Sequence, residues 1–248
     1  DPAIVSPYEI ISNISVEQTF RNNLFVSVKY EHNRGVHQYR SRDLNAPLPG
    51  ESEKPDPTRG NIWNLESTGL FRFQFLNVNF RQRFSIFNIN GGYNFRSMYN
   101  DYDGPFGLPS DNYNLRRDWG RQNQPRHNFN GTVNARMFFG VFLTGTIDAN
   151  SGSLYNITTG EDNNGDSNIN DRPEGTSRNS GDGPRFMSFN FNVSKAIFVG
   201  RKTNGSNSSS GANLNFFANV NNAFNRTNYG TPSGVMTSPF FGKPFSAR

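Results

Sequence analysis

The sequence predicts an antiparallel all-β fold, and three observations predict it. Apolar and polar residues alternate with period two over long stretches, as in strands with two different faces. Apolar residues make up only 33% of the 248, against roughly half in ordinary domains, yet 14% are aromatic and 24 are Phe. Very short connections alternate with long ones rich in Gly, Pro, Asp, Asn and Arg. A disordered chain would lack these aromatics. A soluble domain of this length would carry runs of Leu, Ile, Val and Ala to fill an interior. Here Asn, Ser, Thr and Gly take much of that share, which suits a wall that is apolar on one side and wet on the other.

Eight strands are expected, at 10–20, 24–41, 68–85, 88–101, 126–138, 141–158, 185–199 and 211–228. In the second, Leu24, Val26, Val28 and Tyr30 alternate with Phe25, Ser27 and Lys29. In the third, the phase slips: Phe71, Phe73 and Phe75 are odd, whereas Leu76, Val78 and Phe80 are even. Either a β-bulge absorbs the slip or some of these Phe side chains point inward. In the fifth, Phe129, Gly131, Val133, Ala135 and Met137 alternate with Asn130, Thr132, Asn134 and Arg136. The seventh sets Met187, Phe189, Phe191 and Val193 against Ser188, Asn190 and Asn192. The eighth sets Ala212, Leu214, Phe216, Ala218 and Val220 against Asn213, Asn215 and Asn219. A helix would place Asn on every face, and Asn is a poor helix former.

The turns at 21–23, 85–87 and 138–140 are very short, and a Gly/Ser turn is expected at Gly200–Gly211. Between them lie long segments at 42–67, 102–125 and 159–184. Such long loops are uncommon in compact soluble domains. Short turns at one rim and long loops at the other are the pattern of outer-membrane barrels, whose sheet closes because every backbone group in lipid must be paired. The fold class is therefore an antiparallel transmembrane β-barrel, with its short turns at one rim and its long loops at the other. Val26, Val28, Val133, Phe189, Phe191, Leu214 and Phe216 should face away from the barrel axis, and Asn130, Asn134, Asn190, Asn192 and Asn215 the lumen. Parity puts the three long loops at one rim, because successive antiparallel connections fall at opposite ends. Tyr30, Tyr39, Tyr93, Tyr99 and Tyr155 are candidates for interfacial girdles, although ordinary strand propensity also enriches Tyr.

Other classes are disfavoured. There is no Cys, which excludes a disulfide scaffold, thiol catalysis and thiolate zinc sites. His32, His37 and His127 are too scattered for a metal cluster. The net charge of +5 and pI near 9.6 raise nucleic-acid binding, but Lys and Arg form no block, and none is expected. No run of about 18 apolar residues could span as a helix, and no signal peptide is visible. No Ser/His/Asp set, phosphate loop or carboxylate pair stands in a catalytic setting. No enzyme and no cofactor are expected, and no catalytic, cofactor-binding or metal-binding residue is assigned.

Four segments carry a family resemblance. They are Asn33–His37 with Arg40–Pro47; Asp101–Pro109 with Tyr113–Gly120 and Arg126–Phe129; Tyr155–Gly160 with Asp162–Pro173; and Asn222–Gly230. In this order they resemble the barrel of Oar-like TonB-dependent outer-membrane transporters. That family closes on a short amphipathic strand ending in an aromatic residue, whereas this chain stops at Phe245-Ser246-Ala247-Arg248. The resemblance implies that residues 1–248 are a fragment, a partial barrel of about eight strands out of roughly twenty-two, with short periplasmic turns and long extracellular loops and without the plug domain or the closing strand; a complete eight-stranded barrel is the alternative. It implies a ligand, whether siderophore complex, oligosaccharide or peptide, captured at the outer loops and passed to the periplasm. The implied partners are TonB, outer-membrane lipid and lipopolysaccharide. A surface structural or adhesion barrel without transport is the alternative, and a soluble β-sandwich binding module a third.

Three polar groups stand out. Asp162–Asp171 has acidic and amide oxygens at alternate positions, which suits calcium. Ser167 at the usual Gly position and Pro173 at the usual Glu position favour an ordinary turn-rich loop, with Arg172 pairing to an acidic neighbour. Arg116, Arg117, Arg121 and Arg126 with Trp119 could bind an anion, but intraloop pairing with Asp111 and Asp118 is favoured. Arg72, Arg81, Arg83, Arg96 and Arg136 fall on or near polar strand faces, where they would line a lumen, or else at a rim.

Overall fold

The computed structural model describes residues 3–202 and 209–247. Its strands are β1 (Tyr8–Phe20), β2 (Leu24–Asp43), β3 (Trp63–Arg83), β4 (Phe87–Asn100), β5 (Gly120–Arg121), β6 (His127–Arg136), β7 (Val141–Asn150), β8 (Leu154–Tyr155), β9 (Gly181–Asp182), β10 (Phe186–Lys202) and β11 (Ser209–Val220). The long strands form one antiparallel meander in the order β1-β2-β3-β4-β6-β7-β10-β11, with β5 beside the end of β4. β8 and β9 pair with each other apart from this sheet.

The registers explain the alternation. Across the sheet, Ser27, Asn79, Gly92, Asn130, Asp148 and Ser188 lie directly opposite one another in one row. The next row is Val28, Val78, Tyr93, Phe129, Ala149 and Met187. One face is thus knitted by amides and hydroxyls: Asn77 Nδ2 donates to Asn94 Oδ1 at 2.7 Å, and Thr144 Oγ1 to Asn134 Oδ1 at 2.9 Å. The other face is apolar and exposed; Phe216 is 59% exposed and Leu214 47%. All the side chains expected outward share this face, and all the Asn residues expected inward share the other. Only Ala46 and Leu154 are buried apolar residues among those described. A two-sheet sandwich with a filled core is thereby excluded, because burial of apolar side chains is what would hold it together.

The phase slip in β3 has a definite answer. The β3–β4 register runs without a break from Phe71↔Asn100 to Arg83↔Asn88. Phe71, Phe73 and Phe75 therefore lie on the polar face, stacked at 6.4 and 5.8 Å. The irregularity lies higher, in β2 against β3, between Gly35 and Arg40. There His37 takes φ 58° and its Nδ1 lies 3.2 Å from the Ser67 carbonyl oxygen.

Several boundaries need correction. β3 begins at Trp63, five residues before the expected start. β7 ends at Asn150 instead of 158, where Gly152 turns the chain at φ +82°. β11 ends at Val220 instead of 228. Beyond it Asn222 and Asn225 adopt positive φ, and Asn222 clamps Arg226 N–H and C=O. The expected Gly200–Gly211 connection is shortened by strands reaching Lys202 and Ser209, and its residues 203–208 lie outside those described. Tyr30, Tyr93 and Tyr99 lie on the apolar face but in three different rows, so they do not form one girdle. Tyr155 belongs to the separate β8–β9 pair, and Tyr39 to the bulged stretch of β2.

Candidate ligand site in the long loops

Buried groups in this protein are mostly polar, and they concentrate in the long loops. Asp43, Asn45 and Asp166 are each 1% exposed. Asn45 organises the first loop from within: its Nδ2 donates to the carbonyls of Asp56, Arg59 and Gly60, and its Oδ1 accepts from Asp56 N. Asp43 Oδ1 accepts from Asn45 N and from Ile62 N, closing the loop base.

The three loops then fasten to one another. Asn112 Oδ1 accepts from Asp43 N at 2.8 Å, and Asn112 Nδ2 donates to Asp166 Oδ2 at 2.8 Å. Asn61 Nδ2 donates to the Asp166 carbonyl at 3.1 Å, and Asn164 Nδ2 to the Ser110 carbonyl at 3.1 Å. The acidic segment therefore sits at the same rim as the other two long loops, as parity requires. Buried charge completes the assembly. Arg172 donates to Asp118 Oδ1 at 2.5 Å, to Ser110 Oγ at 2.8 Å and to the Arg117 carbonyl at 2.8 Å. Arg178 pairs with Asp103 and donates to Asn100 Oδ1 at 2.7 Å. Arg40 pairs with Asp101 at 3.3 Å, both side chains 7% exposed.

Within Asp162–Asp171 the carboxylates turn onto the loop's own amides. Asp162 accepts from Asp166 N and Ser167 N, and Asp171 from Asn163 N and Asn164 N. Asp166 Oδ1 accepts from Asn168 N and Nδ2. No group of three or more His, Asp or Glu with metal-holding geometry occurs among the described residues. Burial holds the carboxyl pKa of Asp166 above the ordinary range, opposed by its bonds from Asn168 and Asn164. Burial likewise raises Asp101, against the bond from Leu70 N and the charge of Arg40.

The Arg and Trp cluster is not one patch. Arg117 pairs with Asp111 at 3.9 Å, as favoured, but Asp118 is taken by Arg172. Arg121 lies 3.9 Å from Asp182, and Arg126 stands over the Phe95 ring at 6.0 Å. Of the strand arginines, Arg81, Arg83, Arg96 and Arg136 are on the polar face. Arg72 is a correction: its register with Arg34 and Tyr99 places it on the apolar face, at the long-loop end. The alternation of β3 could have shown this, since Arg72 shares parity with Leu76 and Val78. The residues that sequence reasoning missed are Asn45, whose partners lie within its own loop, and Asn112 and Arg178, whose partners lie far away in the chain.

Two hollows result. A cleft of about 420 Å³ between the loops is lined by Pro47, Leu48, Tyr113, Arg117, Asn163 and Asp171. Tyr113 is fixed there by donating to the Ala46 carbonyl at 2.6 Å, and burial first, then the charge of Asp43, raises its phenol pKa. On the polar face of the wall, a hollow of about 490 Å³ is lined by Phe71, Phe73, Phe75, Met98, Arg96 and Glu31.

A hydrogen-bonded polar cap on a one-sided wall is an architecture with known relatives. The family described as "Outer membrane beta barrel domain" matches residues 1–182. No curated protein matches the sequence. Among solved structures, the outer membrane transporter YddB from Escherichia coli matches with a TM-score of 0.53 at 10% sequence identity, over 89% of this chain and 33% of that one. The likeness is one of fold, and the present chain spans about a third of that transporter's length. With an exposed apolar face, a polar face opposite it and a family match over most of its residues, the chain belongs to the outer membrane beta barrel domains and is an outer-membrane protein.

Proposed function

We propose that this chain is part of the barrel of a TonB-dependent transporter of the Oar-like kind. On this reading the outer loops capture a ligand, which then passes along the polar face to the periplasm. The observation that carries it is the loop cap. Loops that merely connect strands do not need buried Arg–Asp pairs and buried amides, which cost desolvation unless they hold a shape. Here they hold open a cleft of about 420 Å³ offering an aromatic ring, a guanidinium and amides, the mixed lining typical of ligand sites. The solved relative's description as an outer membrane transporter supports the same reading. The ligand is a siderophore complex, an oligosaccharide or a peptide. TonB acts through regions other than these residues, and the chain binds and conducts without catalysing.

The test uses full-length protein in cells. Surface binding and uptake of each ligand class are measured with and without the inner-membrane proton gradient. Uptake of one class should require the gradient. Deleting Asp162–Asp171 should abolish surface binding while the barrel still assembles in the membrane. Ligand held at the surface with no uptake in energised cells would overturn transport and favour an adhesion barrel.

A further inference from the structure

We infer that the apolar face carries a site for a phosphorylated lipid headgroup of the outer leaflet, built around Arg34 and Arg72. These two residues are direct cross-strand partners on β2 and β3. Like charges placed opposite each other on a sheet repel, and neither is paired with a carboxylate among the described residues. Both are exposed. The row continues through Tyr99 on β4 to Arg121 on β5, with Ile10 on its other side. Arg72 is held over two rings, 5.1 Å from Tyr99 and 6.0 Å from Trp119, which themselves stack at 6.0 Å.

Height on the wall identifies the ligand. One row nearer the short turns lie Ser12, His32, Gln74 and Ser97, and the row after that is Ile14, Tyr30, Leu76, Phe95 and His127. Two residues along a strand tilted by about 40° rise about 5 Å. The arginines thus stand about 5 Å beyond the polar edge of the apolar belt, within an interfacial layer about 5–7 Å thick on each side of a bilayer. The long-loop rim of such barrels is extracellular, so this layer is the outer leaflet's headgroup zone. Guanidinium forks match phosphate oxygens in two-point contacts, and a phosphate between Arg34 and Arg72 converts their repulsion into attraction. A sugar-bearing headgroup would find Tyr99 and Trp119 beside it. This site is independent of transport, so it stands or falls separately from the proposed function.

The test reconstitutes the full-length protein in phosphatidylcholine nanodiscs containing diphosphorylated lipid A or its dephosphorylated form, and weighs the lipid retained after detergent extraction by native mass spectrometry. Wild-type protein should retain the phosphorylated form. Arg34→Gln/Arg72→Gln should lose it by at least about tenfold, the effect of removing two charge-assisted contacts. Arg34→Lys/Arg72→Lys, which keeps the charge, should retain an intermediate amount, and Arg81→Gln on the polar face should change nothing. Equal retention of both lipid forms, equal retention by the Gln variant, or competition by millimolar inorganic phosphate alone would overturn the assignment.

Discussion

Arg172→Ala tests whether the loop cap is a cooperative unit. The side chain is 3% exposed, and its partner Asp118 is 8% exposed. The substitution removes three bonds, to Asp118, Ser110 and the Arg117 carbonyl. Removing one partner of a buried pair costs about 3–5 kcal/mol, because a charge stays buried without compensation. Asp118 keeps two acceptor bonds, from Ser110 N and Oγ, both 2.9 Å. Those bonds place the cost at the lower end, about 3 kcal/mol, or about a hundredfold in the opening equilibrium. Hydrogen exchange on the full-length protein in nanodiscs reads this directly. Residues 108–118 and 160–172 should lose about two orders of magnitude of protection, while β3–β7 keep theirs, since they are held by their own ladders. The double variant Arg172→Ala/Asp118→Ala should recover part of the loss, because the stranded charge is gone. If the double variant exchanges as fast as the single one, the cost was not electrostatic. If the strands loosen equally, the cap is not a separate unit.

Three further outcomes follow from the same geometry. Asn45→Ala strips partners from four backbone groups of the first loop, a loss of about 2–4 kcal/mol; limited trypsin digestion should newly cleave after Arg59, and continued resistance would contradict the role given to Asn45. Gly91→Val would bring a Cβ within 2.7 Å of the Phe80 ring in the middle of the apolar belt, an overpacking cost of about 1–3 kcal/mol, so the urea midpoint of the folded barrel should drop; an unchanged midpoint would mean that the ring has room to move. For pH, Asp101 and Asp166 are both raised by burial, so the folded cap holds their protons more tightly than the unfolded chain does. Their contribution to stability is therefore lost as pH rises from the ordinary aspartate range through the raised values, and gained on acidification. Trp63 and Trp119, the two tryptophans of the sequence, both flank the cap, and the fluorescence melting temperature should rise in wild type relative to Asp166→Asn as pH falls; the opposite slope would refute the sign.

The strands were legible because alternation is a local property. Val133 and Asn134 declare their faces to any reader who can count by two. Where two signals competed, sequence alone left the answer open: three Phe in a row of odd positions argued for a slip in β3, whereas the register shows aromatics on a polar face. The true irregularity, at His37, leaves no compositional mark because a positive-φ residue there breaks no hydrophobic pattern. β5, β8 and β9 have two residues each, too few to display any period. The pairing of Arg172 was foreseeable as a need for an acid, and its identity as Asp118, 54 positions away, was not. Separations of 54 and 78 positions hid Asn112 and Arg178, since hydrogen-bond satisfaction is decided by tertiary contact and not by neighbours in the chain.

The fastening of the loops also sets an order of events. Asn61 reaches Asp166 across 105 positions, and Asn112 reaches it across 54. Contacts of such long range form late, because the loop-closure entropy between them must first be overcome. The ladders from β3 to β7 bring those residues to one rim, so the cap has nothing to close on until that part of the wall exists. A nascent barrel therefore shows the outside world loose, protease-sensitive loops, and a finished one shows a sealed surface. Closure of the cap is a structural signature of maturity that a conformation-selective antibody against residues 108–118 could read on the intact cell.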